Sequence, residues 1–245
     1  MANGKGAPIN HFSATSCFAE YTVVPQRGAI KIDPDVPLDK VALIGCCVTT
    51  GVGAVFNTAQ VEPGSSVAVF GCGGVGLSIV QGAAISGAHP VIALDLWEER
   101  LDLAKELGAT HTINASTEDG TRRIRELTDG KGVDYAFEAI GNPDTFSQAY
   151  RSIHWGGTCV CVGVPAADAK LTFDSRLIMQ EKTIKGSLYG SSNPRVDFLN
   201  LVELYKSGKL KLDPMITGRF PLDRINSAFE DLRKGIGVRS IVVFD

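Results

Sequence analysis

Several features are scarce in this chain of 245 residues, and each absence excludes a class of protein. The net charge is only −3, with Lys and Arg scattered among Asp and Glu, whereas a nucleic-acid-binding surface needs concentrated basic residues. Six cysteines are too few for a disulfide scaffold. We therefore expect reduced thiols, a cytoplasmic location and no nucleic-acid partner.

Long apolar runs and export signals are also missing. Residues 1–10 are polar and contain glycine, without the apolar centre of a signal peptide. The longest apolar stretch, residues 41–48, is far shorter than the roughly 20 residues that span a bilayer. The sequence thus predicts a soluble protein with no membrane partner.

The composition favours an α/β fold. Apolar residues make up 44% and charged residues 21%, as in globular proteins, and 27 glycines accompany only 7% aromatic residues. Between residues 66 and 164, apolar strand patterns alternate with helical patterns, which is typical of a parallel sheet covered on both faces. Strands are predicted at 67–70, 91–94, 133–139 and 158–164, and helices at 77–86, 98–107 and 143–153. We predict a doubly wound parallel sheet of the Rossmann type.

The two flanks of this region have other patterns. Residues 18–32 have the pattern of short strands around a turn, and Asp39 is expected to cap a short helix that carries Val41, Leu43 and Ile44. The strands at 18–32 and at the end of the chain are expected to lack partners and to expose apolar edges. Later elements are predicted as a strand at 182–189, amphipathic helices at 196–207 and 222–234, and a closing strand at 240–244.

A glycine-rich motif follows the first predicted strand. Residues 71–76 fit G-x-G-x-x-G, and Asp95 ends the next strand about 20 residues downstream. Gly71 permits a tight turn, Gly73 lets the backbone approach a pyrophosphate, and Gly76 allows close packing of helix on strand. The helix N-terminus supplies positive potential to the phosphates. Together these features predict dinucleotide binding, the alternative being a glycine-rich turn in an unrelated α/β fold.

Asp95 decides which dinucleotide is expected. Its carboxylate can accept hydrogen bonds from both ribose hydroxyls and would repel a 2′-phosphate, which favours NAD over NADP. Arg100 is a flexible cation nearby that could receive either group, and it weakens this preference. The alternative interpretation of Asp95 is a solvated carboxylate at the end of a strand.

Several further segments, in order along the chain, carry a more specific pattern. They are LIGCCVTTGVGA at 43–54, VAVFGCGGVG at 67–76, FEAIG at 137–141, VGVP at 162–165, KGSLYG at 185–190 and GVRSIV at 237–242, with INHF at 9–12 and SCFAEYTVV at 16–24 upstream. Together they resemble the zinc-dependent alcohol dehydrogenases of the medium-chain dehydrogenase/reductase superfamily. The resemblance implies a remnant of the catalytic domain at 1–47, an NAD-binding domain at 48–188, and a segment at 189–245 that returns to the catalytic domain.

The resemblance implies an oxidoreductase that transfers hydride between a primary alcohol or aldehyde and NAD, with a catalytic zinc. Cys46 matches the family's downstream cysteine ligand and is the predicted metal-binding and catalytic residue; without the resemblance it is a small buried hydrophobe. The family's other ligands come from an element that includes Gly-His-Glu, which this sequence lacks. His11 and Ser13 match residues near the substrate cleft. We therefore expect a C-terminal portion of such an enzyme, able to bind NAD but catalytically incomplete.

Other positions match the family's cofactor site. Thr50, the second predicted catalytic residue, and Val75 match residues that press the nicotinamide ring from the side opposite the substrate. Arg239 matches the arginine that pairs with the pyrophosphate, the alternative being a cation at a strand edge. From motif and resemblance together, the predicted cofactor-binding residues are Thr50, Gly71, Gly73, Val75, Gly76, Asp95, Arg100, Ile140, Val162, Val164, Ser187, Tyr189 and Arg239.

The resemblance also bears on assembly and on competing functions. Residues 177–188 resemble the edge strand through which these enzymes pair their sheets across a two-fold axis, which implies a homodimer or a larger assembly. One alternative function is an NAD-binding module without catalysis, which a zinc-free native protein would support. Another is a zinc-free reductase of the same superfamily, such as a quinone reductase, against which the thiol at Cys46 argues.

Overall fold

A parallel sheet of six strands organises the middle of the chain in a computed structural model that describes residues 6, 15–172 and 174–244. The strands are β1 (Val67–Phe70), β2 (Val91–Asp95), β3 (His111–Asn114), β4 (Val133–Glu138), β5 (Ile153–Cys161) and β6 (Thr183–Gly186). Their order is β3-β2-β1-β4-β5-β6, and every neighbouring pair is parallel. This order reverses between β1 and β4, as in the Rossmann fold, and confirms the predicted doubly wound sheet.

The sheet is buried on both faces because its central strands are apolar throughout. Every residue of β1 and β2 is buried. Successive side chains of a strand point to opposite faces, so Val67 and Val69 pack in one core while Ala68 and Phe70 pack in another. An unbroken apolar run is therefore what a central strand of this sheet requires.

Helices connect the strands and cover both faces. They are Gly74–Ile85, Glu98–Glu106, Gly120–Leu127 and Pro143–Ser152, followed by Pro194–Lys206 and Ile225–Arg233 nearer the end of the chain. Asp119 and Asn142 cap two of them, because each side chain accepts a backbone N–H from the first turn. The sequence prediction misses Gly120–Leu127, a polar helix in which only Gly120 and Ile124 are buried.

Several elements begin or end at places other than those predicted, and the differences fall at predicted cofactor-binding positions. The helix after β1 begins at Gly74, inside the glycine motif, and not at residue 77. Strands β5 and β6 end earlier than predicted. As a result, Val162, Val164, Ser187 and Tyr189 lie in the segments that follow these strands.

A long apolar helix, Leu38–Ala59, precedes the sheet where the sequence predicts only a short one. It includes a wide π turn at Ile44–Val48. By length and composition this helix could cross a membrane, but most of it is buried inside the fold, in contact with Gly74–Ile85. A Cβ on Gly51 would lie 2.5 Å from Cβ of Ser78, so glycine permits the close approach of the two helices. The apolar surface of this helix thus forms part of the protein core.

Asp39 does not cap this helix, and that prediction is wrong. The N-cap residue is Pro37, and Asp39 lies within the first turn. Its carboxylate accepts a hydrogen bond from Nη2 of Arg219 at 2.6 Å. The Asp39 carboxylate, which the sequence pattern places at the helix N-terminus, is therefore paired with the guanidinium of Arg219 from a distant strand.

The strands predicted at 18–32 are also wrong. This segment contains one short 3₁₀ turn, Gln26–Gly28, and joins neither of the two sheets. Tyr21 and Val23 are 89% and 91% exposed. An extended segment needs a neighbouring strand to pair its N–H and C=O groups, and the described residues bring none beside it.

A small second sheet lies near the end of the chain. β7 (Ile216–Pro221) and β8 (Arg239–Val243) are parallel and are joined through the helix Ile225–Arg233. The closing strand is thus confirmed, but it has a partner that the sequence prediction misses. Glycine and proline interrupt the strand pattern of β7, at Gly218 and Pro221.

Candidate functional site

The glycine turn between β1 and the next helix lies at the carboxyl edge of the sheet, where the strand order reverses. Gly71 has a φ of +95°, in the left-handed region that favours glycine. A Cβ on Gly76 would overlap the carbonyl oxygen of Gly71, so a side chain there would break the turn. Around Gly73, by contrast, a Cβ would meet no atom within 4 Å. The backbone at Gly73 is therefore open to close approach by a ligand.

The N-terminus of the helix Gly74–Ile85 has no side-chain cap. Gly73 is the N-cap residue, and the first turn of this 12-residue helix contains no acidic residue. The first N–H groups of a helix have no intrahelical acceptor and concentrate positive potential. This end of the helix can therefore receive an anion such as a phosphate.

Arg239 brings a second positive group to the same place. It is the first residue of β8, and its guanidinium occupies the space that a Cβ on Gly74 would fill. The Nε atom is buried and has no hydrogen-bond partner among the described residues. A guanidinium beside the positive end of a helix is unfavourable unless an anion compensates both. Helix and arginine together have the chemistry of a diphosphate site.

The buried thiol of Cys47 lies beside Arg239 but supplies no negative charge. Burial raises the pKa of this thiol, and the neighbouring guanidinium only partly opposes the shift. The Sγ atom also lies 3.5 Å from the carbonyl oxygen of Leu43, to which it donates. Cys47 therefore stays neutral at physiological pH and does not compensate the arginine.

Asp95 ends β2 and connects it to the glycine turn. Its side chain is almost fully buried, and Oδ2 accepts the N–H of Cys72 at 2.7 Å. Oδ1 accepts the N–H groups of Leu96 and Trp97 at 2.8 and 3.2 Å. The carboxylate thus lies beside the turn, at the position predicted for it, and is not a freely solvated strand end.

Arg100 is held in place and is not the flexible cation that the sequence analysis expects. Its Nη2 atom donates to the carbonyl oxygens of Gly235 and Gly237 at 2.8 and 3.2 Å. Its Nη1 atom lies 3.9 Å from Oδ1 of Asp95. These contacts connect the Asp95 region to the segment that leads into Arg239.

Three predicted cofactor residues follow β4 and β5. Ile140 is 53% exposed and Val164 is 87% exposed, whereas Val162 is buried. Ile140 lies close to the glycine turn, since a Cβ on Gly71 would be 2.6 Å from its Cγ1 atom. Exposed apolar side chains at this edge form a surface suited to a flat, weakly polar group.

Thr50 and Val75 lie on the two helices that pack together beside the glycine turn. Thr50 belongs to Leu38–Ala59 and Val75 to the first turn of the following helix, and both are half-buried. The backbones approach closely here, because a Cβ on Gly51 would lie 2.5 Å from the carbonyl oxygen of Val75. The fold therefore brings both residues to the same side of the edge.

Ser187 and Tyr189 follow β6 and contact the helix Leu38–Ala59. The hydroxyl of Ser187 lies 2.8 Å from that of Thr58. The Tyr189 hydroxyl donates to the carbonyl oxygen of Gly45 at 2.7 Å. Burial raises the pKa of Tyr189, and the adjacent Cys46 adds to this shift.

Cys46 has an exposed side chain, whereas that of Cys47 is buried, so the two thiols point apart. Within residues 15–172 and 174–244, no group of three or more His, Cys, Asp or Glu side chains could hold a metal ion. A zinc site in proteins takes three or four protein ligands. Cys46 alone therefore does not fit a zinc ion, and His11 and Ser13 lie outside the described residues.

Sequence reasoning misses Glu138 as a residue of this edge. Glu138 ends β4 and is buried, with its carboxylate among backbone N–H groups of the following loop. A signal for it exists in the sequence, because an acidic residue that directly follows the apolar residues Ala136 and Phe137 of a strand needs donors nearby.

The fold and this edge of the sheet define the class of protein first. It is a Rossmann-type α/β domain in which a glycine turn, a helix N-terminus and an arginine whose Nε atom has no partner among the described residues meet at one candidate anion-binding position. The chain belongs to the zinc-binding dehydrogenase family, whose model matches residues 74–207. The resemblance described above is thus confirmed, and the family is one of oxidoreductases related to alcohol dehydrogenases.

Curated relatives and solved structures agree with this membership. Alcohol dehydrogenase 1 from Pisum sativum and that from Trifolium repens are each 43% identical over 241 residues, covering 97% of this chain and 63% of the relative. Benzyl alcohol dehydrogenase from Acinetobacter calcoaceticus superposes with a TM-score of 0.92 at 37% identity, over 100% of this chain and 68% of its own. An alcohol dehydrogenase zinc-binding domain protein from Burkholderia ambifaria gives 0.93 at 39% identity, over 100% and 66%. The chain spans less than two thirds of the curated relatives' length.

Proposed function

We propose that this chain binds NAD across the carboxyl edge of the six-stranded sheet. The observation that carries the proposal is the buried Nε atom of Arg239, which has no partner among the described residues and lies beside the uncapped start of the helix Gly74–Ile85. A pyrophosphate would accept hydrogen bonds from both groups and neutralise their charge.

Each part of the dinucleotide has residues of suitable chemistry. Asp95 would accept from the adenosine ribose hydroxyls, and the glycine turn with Arg239 would bind the pyrophosphate. Thr50 and Val75 would back the nicotinamide ring. The surface that lines this half of the cofactor consists of Ile140, Val162, Val164, Ser187 and Tyr189.

The proposed preference is for NAD over NADP. A 2′-phosphate would meet the carboxylate of Asp95, whose oxygens already accept three backbone N–H groups. Arg100 is committed to two carbonyl oxygens and to Asp95, so it is not free to pair with that phosphate. The observed position of Arg100 therefore supports NAD more strongly than sequence reasoning does.

We propose that the enzyme to which this chain belongs transfers hydride between a primary alcohol or aldehyde and NAD. The names of the related alcohol dehydrogenases support this reaction. NAD supplies the hydride acceptor when it is bound. The role of this chain's residues is to hold the cofactor at the edge of the sheet in a fixed orientation and to keep water from its buried side.

Zinc enters the proposal only through Cys46. The described residues do not complete a metal site. We propose that Cys46 contributes one ligand to a site whose other ligands lie outside the described residues. This chain is accordingly expected to bind NADH without oxidising alcohols, with or without added zinc.

Titration calorimetry with NADH tests the cofactor proposal. The Arg239→Gln variant should bind NADH about 10- to 100-fold more weakly, since it loses a charged hydrogen-bond donor to the pyrophosphate. Arg233→Gln, an exposed arginine on the helix Ile225–Arg233, provides the matched control and should bind as the parent does. Absence of a binding signal for the folded parent chain would refute the proposal.

A second candidate function is an NAD-binding module without catalysis, favoured by the lack of a metal cluster in the described part of the chain. Zinc analysis and intact mass of the native protein separate the two candidates. A native species as short as this chain, free of zinc yet able to bind NADH, would favour the module. A zinc-free reductase is the weaker alternative, since it gives no use to the exposed thiol of Cys46.

We further propose a homodimer formed through β6. This strand is at the edge of the sheet, and apolar side chains near it are exposed, including Met179, Ile184 and Leu188. An edge strand with apolar surroundings can pair with a second copy. Sedimentation should give twice the chain mass, and Ile184→Lys should shift it towards the monomer.

We also retain the proposed division of the chain at 1–47, 48–188 and 189–245, whose first boundary lies within Leu38–Ala59.

A further inference from the structure

Glu138 is a buried carboxylate that the proposed cofactor contacts leave without a role. It ends β4, next to the position where the strand order reverses, and it is only 1% exposed. A carboxylate in such a place is unfavourable unless hydrogen bonds replace its lost hydration. The hydrogen-bond donors around the carboxylate therefore indicate its role.

These donors come from the loop that follows β4. Oε1 accepts the N–H groups of Ile140 and Gly141, both at 3.0 Å, and the hydroxyl of Thr145 at 2.7 Å. Oε2 accepts the same Gly141 N–H at 3.0 Å, and the N–H of Asn142 lies 3.4 Å from Oε1. One side chain thus fixes the backbone of three consecutive residues.

The backbone of Glu138 holds the next loop as well. Its carbonyl oxygen accepts the N–H groups of Val162 and Gly163, both at 2.9 Å. The two loops also touch directly, because a Cβ on Gly141 would lie 2.6 Å from the carbonyl carbon of Val164. Displacing the Glu138 side chain would therefore move both loops.

The two loops lie on one half of the proposed cofactor site. They carry Ile140, Val162 and Val164 beyond β4 and β5, whereas Asp95 lies beyond β2, on the other side of β1. In a Rossmann fold the acidic residue after β2 binds the adenosine ribose, so the β4–β5 side receives the nicotinamide half. The hydrogen bonds of Glu138 therefore act chiefly on the nicotinamide side, while Ile140 also lies close to the glycine turn.

We infer that Glu138 is a positioning residue for the nicotinamide half of the dinucleotide, acting through the loops 140–142 and 162–164. This inference rests on the proposed function, because it needs NAD at this edge. The Glu138→Gln variant keeps the size of the side chain but turns an N–H₂ group towards a backbone N–H. Two donors then face each other, and the loop must shift.

The test compares NADH with ADP-ribose, which has the same adenosine and pyrophosphate but no nicotinamide. In Glu138→Gln, the Kd for NADH should rise about fivefold or more, while that for ADP-ribose should change less than twofold. The emission of bound NADH should also move towards its value in water, since it reports the surroundings of the nicotinamide. Glu126→Gln, an exposed glutamate on Gly120–Leu127, is the matched control.

A milder variant guards against loss of folding. Thr145→Val removes one donor to Oε1 without changing the shape of the side chain, and it should shift NADH binding in the same direction by a smaller factor. Equal weakening of NADH and ADP-ribose, or no change in either, would overturn the role of Glu138. Failure of the parent chain to bind either ligand would overturn the proposed function, and this inference with it.

Discussion

The six-stranded sheet and the small β7–β8 sheet differ in how they bury apolar surface. Every residue of β1 and β2 is buried, whereas β7, β8 and the helix Ile225–Arg233 contain no buried residue. In the smaller region Leu232 and Ile236 are 60% and 59% exposed. Because burial of apolar area drives folding, the larger sheet is stabilised by its own core, whereas the apolar side chains of the smaller sheet are only partly buried against that core.

This contrast matters for the proposed cofactor site, because its residues come from both regions. The glycine turn belongs to the well-buried sheet, but Arg239 belongs to β8 of the smaller one. Arg100 connects the two through the carbonyl oxygens of Gly235 and Gly237. An anion bound between the helix start and Arg239 would therefore stabilise the weaker region more than the stronger one.

The largest expected effect is in the glycine turn of the larger sheet. Gly76→Ala should remove NADH binding and lower the melting temperature strongly, because its methyl group overlaps the carbonyl oxygen of Gly71. Gly28→Ala is the control, since a Cβ there meets no atom within 4 Å. Thermal unfolding and calorimetry provide the readouts. A Gly76→Ala protein that melts and binds as the parent does would contradict the described turn.

A pair of phenylalanine variants compares the two regions directly. Phe137→Ala in β4 should cost about 3–5 kcal/mol of unfolding free energy, because this side chain is fully buried. Phe229→Ala should cost about 1 kcal/mol, since Phe229 is 39% exposed and packs edge-on against Phe18. Denaturant titration measures both values. Equal losses would show that the smaller region is as well packed as the larger.

Thiol labelling tests, without mutation, how well the core of the larger sheet excludes solvent. Cys17 and Cys46 are exposed and should react with iodoacetamide in the native protein. Burial raises the pKa of Cys72 and that of Cys159, with the charge of Asp95 adding to the first, so both should react only after unfolding. Mass spectrometry of labelled peptides checks this order. Early labelling of Cys72 would mean that the glycine turn opens readily.

The smallest expected effect is a pH dependence at the amino edge of the larger sheet. Burial opposes the charge of Asp134, but hydrogen bonds from Ser66 and His154 outweigh it and lower the pKa below 3.8. A carboxyl whose pKa is lower in the folded state stabilises the fold above 3.8 and loses that contribution as the pH falls through the folded value. Asp134→Asn should thus be less stable than the parent at neutral pH, and the difference should shrink in acid.

The comparison for this last effect is Asp213 beside the smaller sheet. Its pKa is also lowered, mainly by Lys40, but its side chain is 56% exposed. Solvent screens such a pair, so Asp213→Asn should change stability less at every pH. Chemical unfolding across a pH series measures both variants. A larger effect at Asp213 would reverse the assignment of strong and weak regions.

Sequence reasoning predicts the larger sheet because each of its signals is local. All four residues at 67–70 are apolar, and the glycine motif follows them immediately. The same holds for Asp95, which ends the next apolar run. Such features need no knowledge of distant contacts, so their positions agree with the structure.

Most of the remaining differences depend on contacts between distant parts of the chain. The segment 18–32 has a strand pattern but no neighbouring strand, and Asp39 meets Arg219 from β7. A flexible Arg100 is expected from the sequence, because the carbonyl groups that hold its side chain belong to residues 235 and 237, far along the chain. Most donors of Glu138 are backbone N–H groups, which residue identity does not specify, so the sequence shows the acidic residue but not its partners.

Cys46 and Thr50 lie four residues apart on the same helix, Leu38–Ala59. Four residues of a regular α-helix rise about 6 Å, but the π turn at Ile44–Val48 includes Cys46 and makes the helix wider at this point. Removing one residue between Cys46 and Thr50 would rotate the thiol around the helix axis, by roughly 100° in a regular α-helix, while the hydroxyl stayed against its neighbours. An insertion or deletion between Cys46 and Thr50 should therefore disturb their relative placement more than a substitution there does.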